Sequence, residues 1–147
     1  MKVHIGSDQR GYDLKDELSR FLRGLDYEVE DHGCYSRESC DYPVFAEKVS
    51  RACVLEEKGR GILICWTGIG MSMAANKIPG IRAALCSNIE TARLSRQHND
   101  SNILCLGAKY TSSELAKEIV DVWLETDFSG EERHIRRIGQ IADLEHI

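Results

Sequence analysis

Five short strand-like runs recur along the chain, each followed by a stretch whose apolar residues fall three or four apart. Residues 2–6 (KVHIG), 27–31 (YEVED), 61–65 (GILIC), 81–86 (IRAALC) and 103–107 (ILCLG) read as strands. Helical spacing is carried by Leu14, Leu18, Phe21, Leu22 and Leu25, and by Phe45, Val49, Ala52 and Cys53 within residues 42–55. It returns over 71–77, over 89–97, and over 112–125 with Leu115, Ile119, Val122 and Trp123. A last helix over 131–145 places Ile135, Ile138, Ile141 and Ala142 on one side. Strands alternating with helices imply parallel β-α-β units. A continuous apolar strand such as ILIC implies a sheet covered on both faces. The expected fold is therefore α/β: a doubly wound, Rossmann-like three-layer sandwich with a five-stranded parallel sheet, as one domain over 1–147. In such folds ligands bind beyond the carboxyl ends of the strands. The loops at 7–11, 66–70, 87–90 and 107–110 are thus the places to search.

Composition removes several functions. A net charge of −5 over 147 residues does not suit a general nucleic-acid binder, which needs a clustered basic surface. No 18-residue apolar run occurs, so no membrane span is expected. The N-terminus turns polar after five residues, unlike a signal peptide. The six cysteines include no CxxC pair, and Cys65, Cys86 and Cys105 lie in apolar runs. Reduced thiols and a cytoplasmic location follow from that usage. His4 alternates within a strand, and His32 and His146 have no ligand-spaced partner, so no metal constellation is expected.

The richest local pattern is Cys65-Trp66-Thr67-Gly68-Ile69-Gly70-Met71-Ser72. Two glycines let the backbone turn tightly after a strand, and the helix that follows aims free N–H groups at the same spot. Such a nest holds a phosphate, a carboxylate or an enolate oxygen, although a tight β-α turn without a ligand reads the same way. It is neither a dinucleotide fingerprint nor a Walker loop, since Met73 stands where GxGxxG needs glycine. Cys65 directly precedes the nest and is a candidate nucleophile or proton-abstracting base; a buried strand cysteine is the plainer alternative. Asp8, after the first strand, can touch ligand hydroxyls or cap a helix. His98, followed by Asn99, can act as an acid or base, or favour a helix C-terminus. Arg133 and Arg137 share one helical face, as an anion clamp or a solvated stripe paired with Glu131 and Glu132. Tyr42-Pro43 marks a helix start, with Tyr42 able to line a cleft.

Taken together, these residues make the chain resemble the type B ribose-5-phosphate isomerases and the related galactose-6-phosphate isomerase subunits. The resemblance runs from IGSD at 5–8 to RHIRR at 133–137, and is densest at 61–86 and 92–107. It implies metal-independent aldose–ketose interconversion of a sugar phosphate through a cis-enediolate, without a cofactor. By matching position it implies Cys65 as general base, Thr67 assisting proton transfer, and the backbone N–H groups of residues 66–70 on the enediolate oxygen. His98 would help open the sugar ring, Asp8 would position hydroxyls, Asn99 would contact substrate, and Arg133 and Arg137 would hold the phosphate. Gln9, Tyr42, Trp66, Gly68, Ile69, Gly70, Ser72 and Lys109 complete the expected substrate pocket. The resemblance also implies a homodimer or dimer of dimers with sites shared between subunits, the last helix reaching the partner.

The chain departs from the family pattern at several positions. Gln9 stands where a histidine is usual, and cannot become cationic. Trp66 replaces a glycine, Lys109 an arginine, and Gly130-Glu131-Glu132 a Gly-Gly approach to the phosphate helix. The lead substrate is D-ribose 5-phosphate. Allose 6-phosphate or a tetrulose phosphate, a silent sugar-phosphate sensor, and a nucleotide-binding module are the alternatives.

Overall fold

The computed structural model describes residues 1–146. Its strands are β1 (Lys2–Ser7), β2 (Glu28–Asp31), β3 (Arg60–Cys65), β4 (Ala83–Leu85) and β5 (Ile103–Gly107). They form one all-parallel sheet in the order β2-β1-β3-β5-β4. Six α-helices accompany them: α1 (Tyr12–Gly24), α2 (Tyr42–Val54), α3 (Ile69–Ala75), α4 (Ile89–Asn99), α5 (Ser113–Glu125) and α6 (Glu132–Asp143).

The alternation of side chains along each strand sorts the core into two layers. Val3, Ile5, Ile62, Ile64, Leu104 and Leu106 pack against Leu14, Leu18 and Leu22 of α1, Ala92 of α4, and Ala116, Ile119, Val120 and Trp123 of α5. Leu63, Cys65, Ile103 and Cys105 point the other way, onto Ala46, Val49 and Cys53 of α2 and Met71 and Ala75 of α3. Each fully buried Leu or Ile contributes about 1.5–3 kcal/mol. Two large polar side chains that enter the core are matched. The Trp123 indole donates to Ser101 Oγ at 2.9 Å, and buried Lys15 donates to Asp31 and to the Cys34 carbonyl at 2.7 Å. Asn88 and Ser112 cap α4 and α5 by accepting from Thr91 and Leu115 N–H.

The expected fold is present, with local corrections. Helix α3 starts at Ile69, two residues early, because Gly68 turns the chain with φ +78° and its carbonyl accepts from Ser72 N–H. Strand β4 is only Ala83–Leu85, since Ile81 N–H is drawn to Ile78 O in the preceding turn. Leu25 lies past the end of α1 and is exposed, not core. Helix α6 stops at Asp143, and its apolar side is not buried: Ile135 is 54% and Ile141 45% exposed, while His134 is its buried residue. No helix among the described residues is long and apolar enough to cross a membrane.

Candidate active site

Three strand ends lie level at the switch point, because Ser7 is in register with Ile64, and Cys65 with Gly107. The β1, β3 and β5 loops therefore converge. Their backbones lock together: Asp8 N–H donates to Ile64 O, Ala108 N–H to Cys65 O, and Lys109 N–H to Trp66 O. A Cβ on Gly68 would lie 2.4 Å from Leu85 Cδ1 and 3.0 Å from the Leu106 carbonyl carbon. Only glycine fits there, both sterically and by its positive φ.

Cys65 is buried at 5% exposure, and its Sγ accepts from Gly68 N–H at 3.2 Å. Thr67 follows it, with Oγ1 accepting from Ile69 N–H at 3.2 Å. Of the N–H groups at 66–70, those of Gly68 and Ile69 are thus already directed at side chains. The N-terminus of α3 carries no side-chain cap, and its first-turn amides beginning at Gly70 have no partner within the helix. Ser72 Oγ is turned back onto Ile69 O at 2.8 Å. The Tyr42 ring packs on Gly70, where a Cβ would lie 2.5 Å from Tyr42 Cζ. Burial pushes up the thiols of Cys105 on β5 and Cys86 just past β4, and that of Cys53 on α2 to about 12.

On the β1 side the Asp8 carboxylate is engaged with the backbone of its own loop. Its Oδ1 accepts from Arg10 and Gly11 N–H at 3.0 Å, shaping the turn into α1, while the residue sits at the mouth beside Cys65. Gln9 Oε1 accepts from Cys40 N–H at 3.2 Å and from Cys40 Sγ at 3.4 Å. The Arg10 guanidinium lies 5.0 Å from the Trp66 ring centre, so the Trp replacing glycine stacks at the rim. Lys109 is exposed, its ammonium 5.6 Å from the Tyr110 ring.

The loop after β2 is a part of the site that strand-end reasoning passed over. It is tied to β1 by Ser7 N–H to Gly33 O and Cys34 N–H to Ser7 O, both 2.8 Å, and it carries Cys40 to Gln9. The signal was the pair Gly33–Cys34 straight after a strand that neighbours β1.

The remaining expected residues are not brought to this place within one chain. Helix α4 starts beside the carboxyl ends and runs back across the sheet. His98 and Asn99 therefore sit at its amino-terminal edge, where Arg82 holds the Asn99 carbonyl at 2.9 Å. Five strand residues, about 16 Å, separate the two edges. His98 stacks at 4.5 Å on His134, and Ser129 N–H donates to Gln97 O, anchoring α6 there. Burial, with His98 and Arg133 nearby, lowers the His134 imidazole below its ordinary value. Arg133 is ion-paired with Glu131 at 3.0 Å, and Arg137 is exposed. One cleft of the chain lies among Arg60, Arg82, Arg96 and Asp100, and another among Ile81, Asn99, Ile141 and Leu144; neither includes Cys65.

The expectation that His32 has no ligand-spaced partner, and that no metal constellation forms, is overturned. Parallel pairing of β1 with β2 sets His4 opposite Glu30, and His4 Nδ1 lies 2.9 Å from His32 Nε2.

Comparison with known proteins gives a consistent result. Residues 3–141 match the family described as Ribose/Galactose Isomerase. The chain is 46% identical over 144 residues to the ribose-5-phosphate isomerase B of Escherichia coli, covering 98% of this chain and 96% of that one. The structure of Clostridium thermocellum ribose-5-phosphate isomerase B superposes with a TM-score of 0.97 at 52% identity, covering 99% of this chain and 98% of that one. The Trypanosoma brucei type B ribose 5-phosphate isomerase gives 0.93 at 44% identity, covering 98% of each.

Proposed function

The chain belongs to the ribose/galactose isomerase family, and we propose that it is an aldose–ketose isomerase converting D-ribose 5-phosphate to D-ribulose 5-phosphate in the cytoplasm. The observation that carries the chemistry is Cys65: a buried thiol at a strand end, with Gly68 N–H on its sulfur and an uncapped helix start beside it.

Abstracting a proton next to a carbonyl needs a base, an oxyanion site and exclusion of water. The Cys65 thiolate takes the proton from C2, and its electron pair forms the C1–C2 double bond while O1 becomes the oxyanion. The first-turn amides of α3 stabilise that oxygen. The thiol returns the proton to C1, and the O2 proton passes to O1, a transfer assisted by the Thr67 hydroxyl, leaving the C2 ketone. Asp8 holds sugar hydroxyls. The scheme calls on no metal.

His98 opens the ring, Asn99 contacts the sugar, and Arg133 and Arg137 grip the phosphate, but they act on a second copy of the chain. Two features support this: the far-edge location of these groups and the solvent-facing apolar side of α6. The functional unit is then a homodimer or a dimer of dimers with shared sites. A sugar phosphate of another length, allose 6-phosphate or a tetrulose phosphate, is the second reading. It is favoured by Trp66 over the rim and by Gln9 engaged with Cys40.

Purified protein is expected to turn over D-ribose 5-phosphate, and Cys65→Ala to lose at least about 10²–10⁴-fold in kcat while still folding. Near-wild-type turnover by that variant would remove Cys65 as the base.

A further inference from the structure

Away from the cradle, the sheet gathers three metal-ligating side chains from two neighbouring strands. His4 of β1 stands opposite Glu30 of β2, and His32 follows two residues further along that edge. His4 Nδ1 is 2.9 Å from His32 Nε2 and 3.4 Å from Glu30 Oε2; Glu30 Oε1 is 3.9 Å from His32 Nε2. Nitrogen and oxygen atoms each 2.0–2.1 Å from one ion stand about 2.9–3.4 Å apart at angles between right and tetrahedral. Both His4 distances fall in that span, and a turn of the exposed Glu30 carboxylate is needed to bring its oxygen as near to His32.

Only one proton can lie between the two facing imidazole nitrogens, and the third group is an anionic carboxylate. If His32 donates that proton, it takes up the His4 Nδ1 lone pair, and Glu30 Oε2, 3.4 Å from that nitrogen, receives no hydrogen bond from either imidazole. If His4 donates it, the proton is shared with that second acceptor. A cation at the centre engages all three groups at once. Lys2 Nζ lies 2.9 Å from Glu30 Oε2 and 3.9 Å from Glu56 Oε1, so the ion shares the Glu30 carboxylate with an ammonium. On the far side of the His4 ring, Nε2 is fully buried and without an aligned hydrogen bond, although Glu56 Oε1 is 3.0 Å away. Histidines that bind a metal through one nitrogen usually present the other N–H to such a carboxylate. His4 is 1% exposed, whereas Glu30 and His32 reach solvent and leave an entry path.

We propose that His4, Glu30 and His32 form a site for a divalent first-row transition metal such as Zn²⁺, Co²⁺ or Ni²⁺. Glu56 supports His4, and water completes the coordination. The ion clips edge strand β2 onto β1. It lies about 13 Å along β1 from Asp8 and takes no part in the isomerase chemistry.

The test uses the full chain, stripped with chelator and titrated with Co²⁺. The expected result is one Co²⁺ per chain with a visible d–d spectrum and no sulfur-to-metal charge transfer. Zn²⁺ should displace it, and the thermal midpoint should rise by roughly 5–10 °C at a hundredfold excess over Kd. His32→Ala and Glu30→Gln alter partly exposed side chains, so both variants should fold and bind at least about 100-fold more weakly. Absence of binding to the stripped wild type, unchanged affinity in both variants, or a sulfur charge-transfer band would each overturn the site.

Discussion

Around Cys65, backbone packs against backbone; around His98 and Arg137, side chains stand in solvent. A Cβ on Gly107 would lie 2.5 Å from Thr67 O, whereas Gly130 and Gly139, beside and within α6, have nothing within 4 Å. The cradle is held by hydrogen bonds between three adjacent loops. The far patch rests on α4 through His134 and shows Ile135 and Ile141 to solvent. Under the proposed function, the difference teaches that proton transfer and phosphate capture are built to different tolerances. An oxyanion site must be rigid before substrate arrives. A clamp on a long charged arm needs only to be delivered, and under the proposal a second copy delivers it.

Substitutions can break this contrast. Gly68→Ala meets Leu85 and Leu106 at a positive φ, and is expected to cost about 2–3 kcal/mol in urea unfolding together with most turnover. A stable, active Gly68→Ala protein would mean that the cradle is not tightly specified. Arg137→Ala should leave stability within about 0.5 kcal/mol and lower kcat/KM by about 10–100-fold, mainly through KM, in steady-state assays. Equal loss in kcat would place the arginine at the chemistry instead of the phosphate. Gly139→Ala, an open position in a helix interior, is expected to stabilise by about 0.5–1 kcal/mol with activity kept. Destabilisation there would show that the α6 surface is closely covered in the assembled enzyme.

The two regions were also unequally legible. Strand β5 and the cradle are written in local pattern: an apolar run, then a cysteine or glycine, then a turn. Such signals survive without tertiary context, and Ile103–Gly107 and the Cys65–Gly70 turn stand where their residues place them. The periodicity of α6 was equally visible, but an apolar stripe does not say what covers it, and in one chain nothing does. The separation of His98 from Cys65 depends on helix direction across the sheet, which spacing alone does not encode. Pairings between segments distant in sequence were invisible for the same reason: His4 with His32 across the sheet, and Cys40 with Gln9 between loops. Lys15 is charged, yet the end of β2 supplies Asp31 and it lies buried.

The central claim is that Cys65 of one copy works with Arg133 and Arg137 of another. Complementation tests it most directly. Cys65→Ala and the double variant Arg133→Ala/Arg137→Ala are each assayed alone at substrate below KM, then unfolded and refolded together in equal amounts. Random pairing leaves one intact site in each mixed dimer, so the mixture should recover about a quarter of wild-type activity. If it does no better than the sum of its parts while mixed dimers form, the two halves do not meet across a subunit boundary and the account fails.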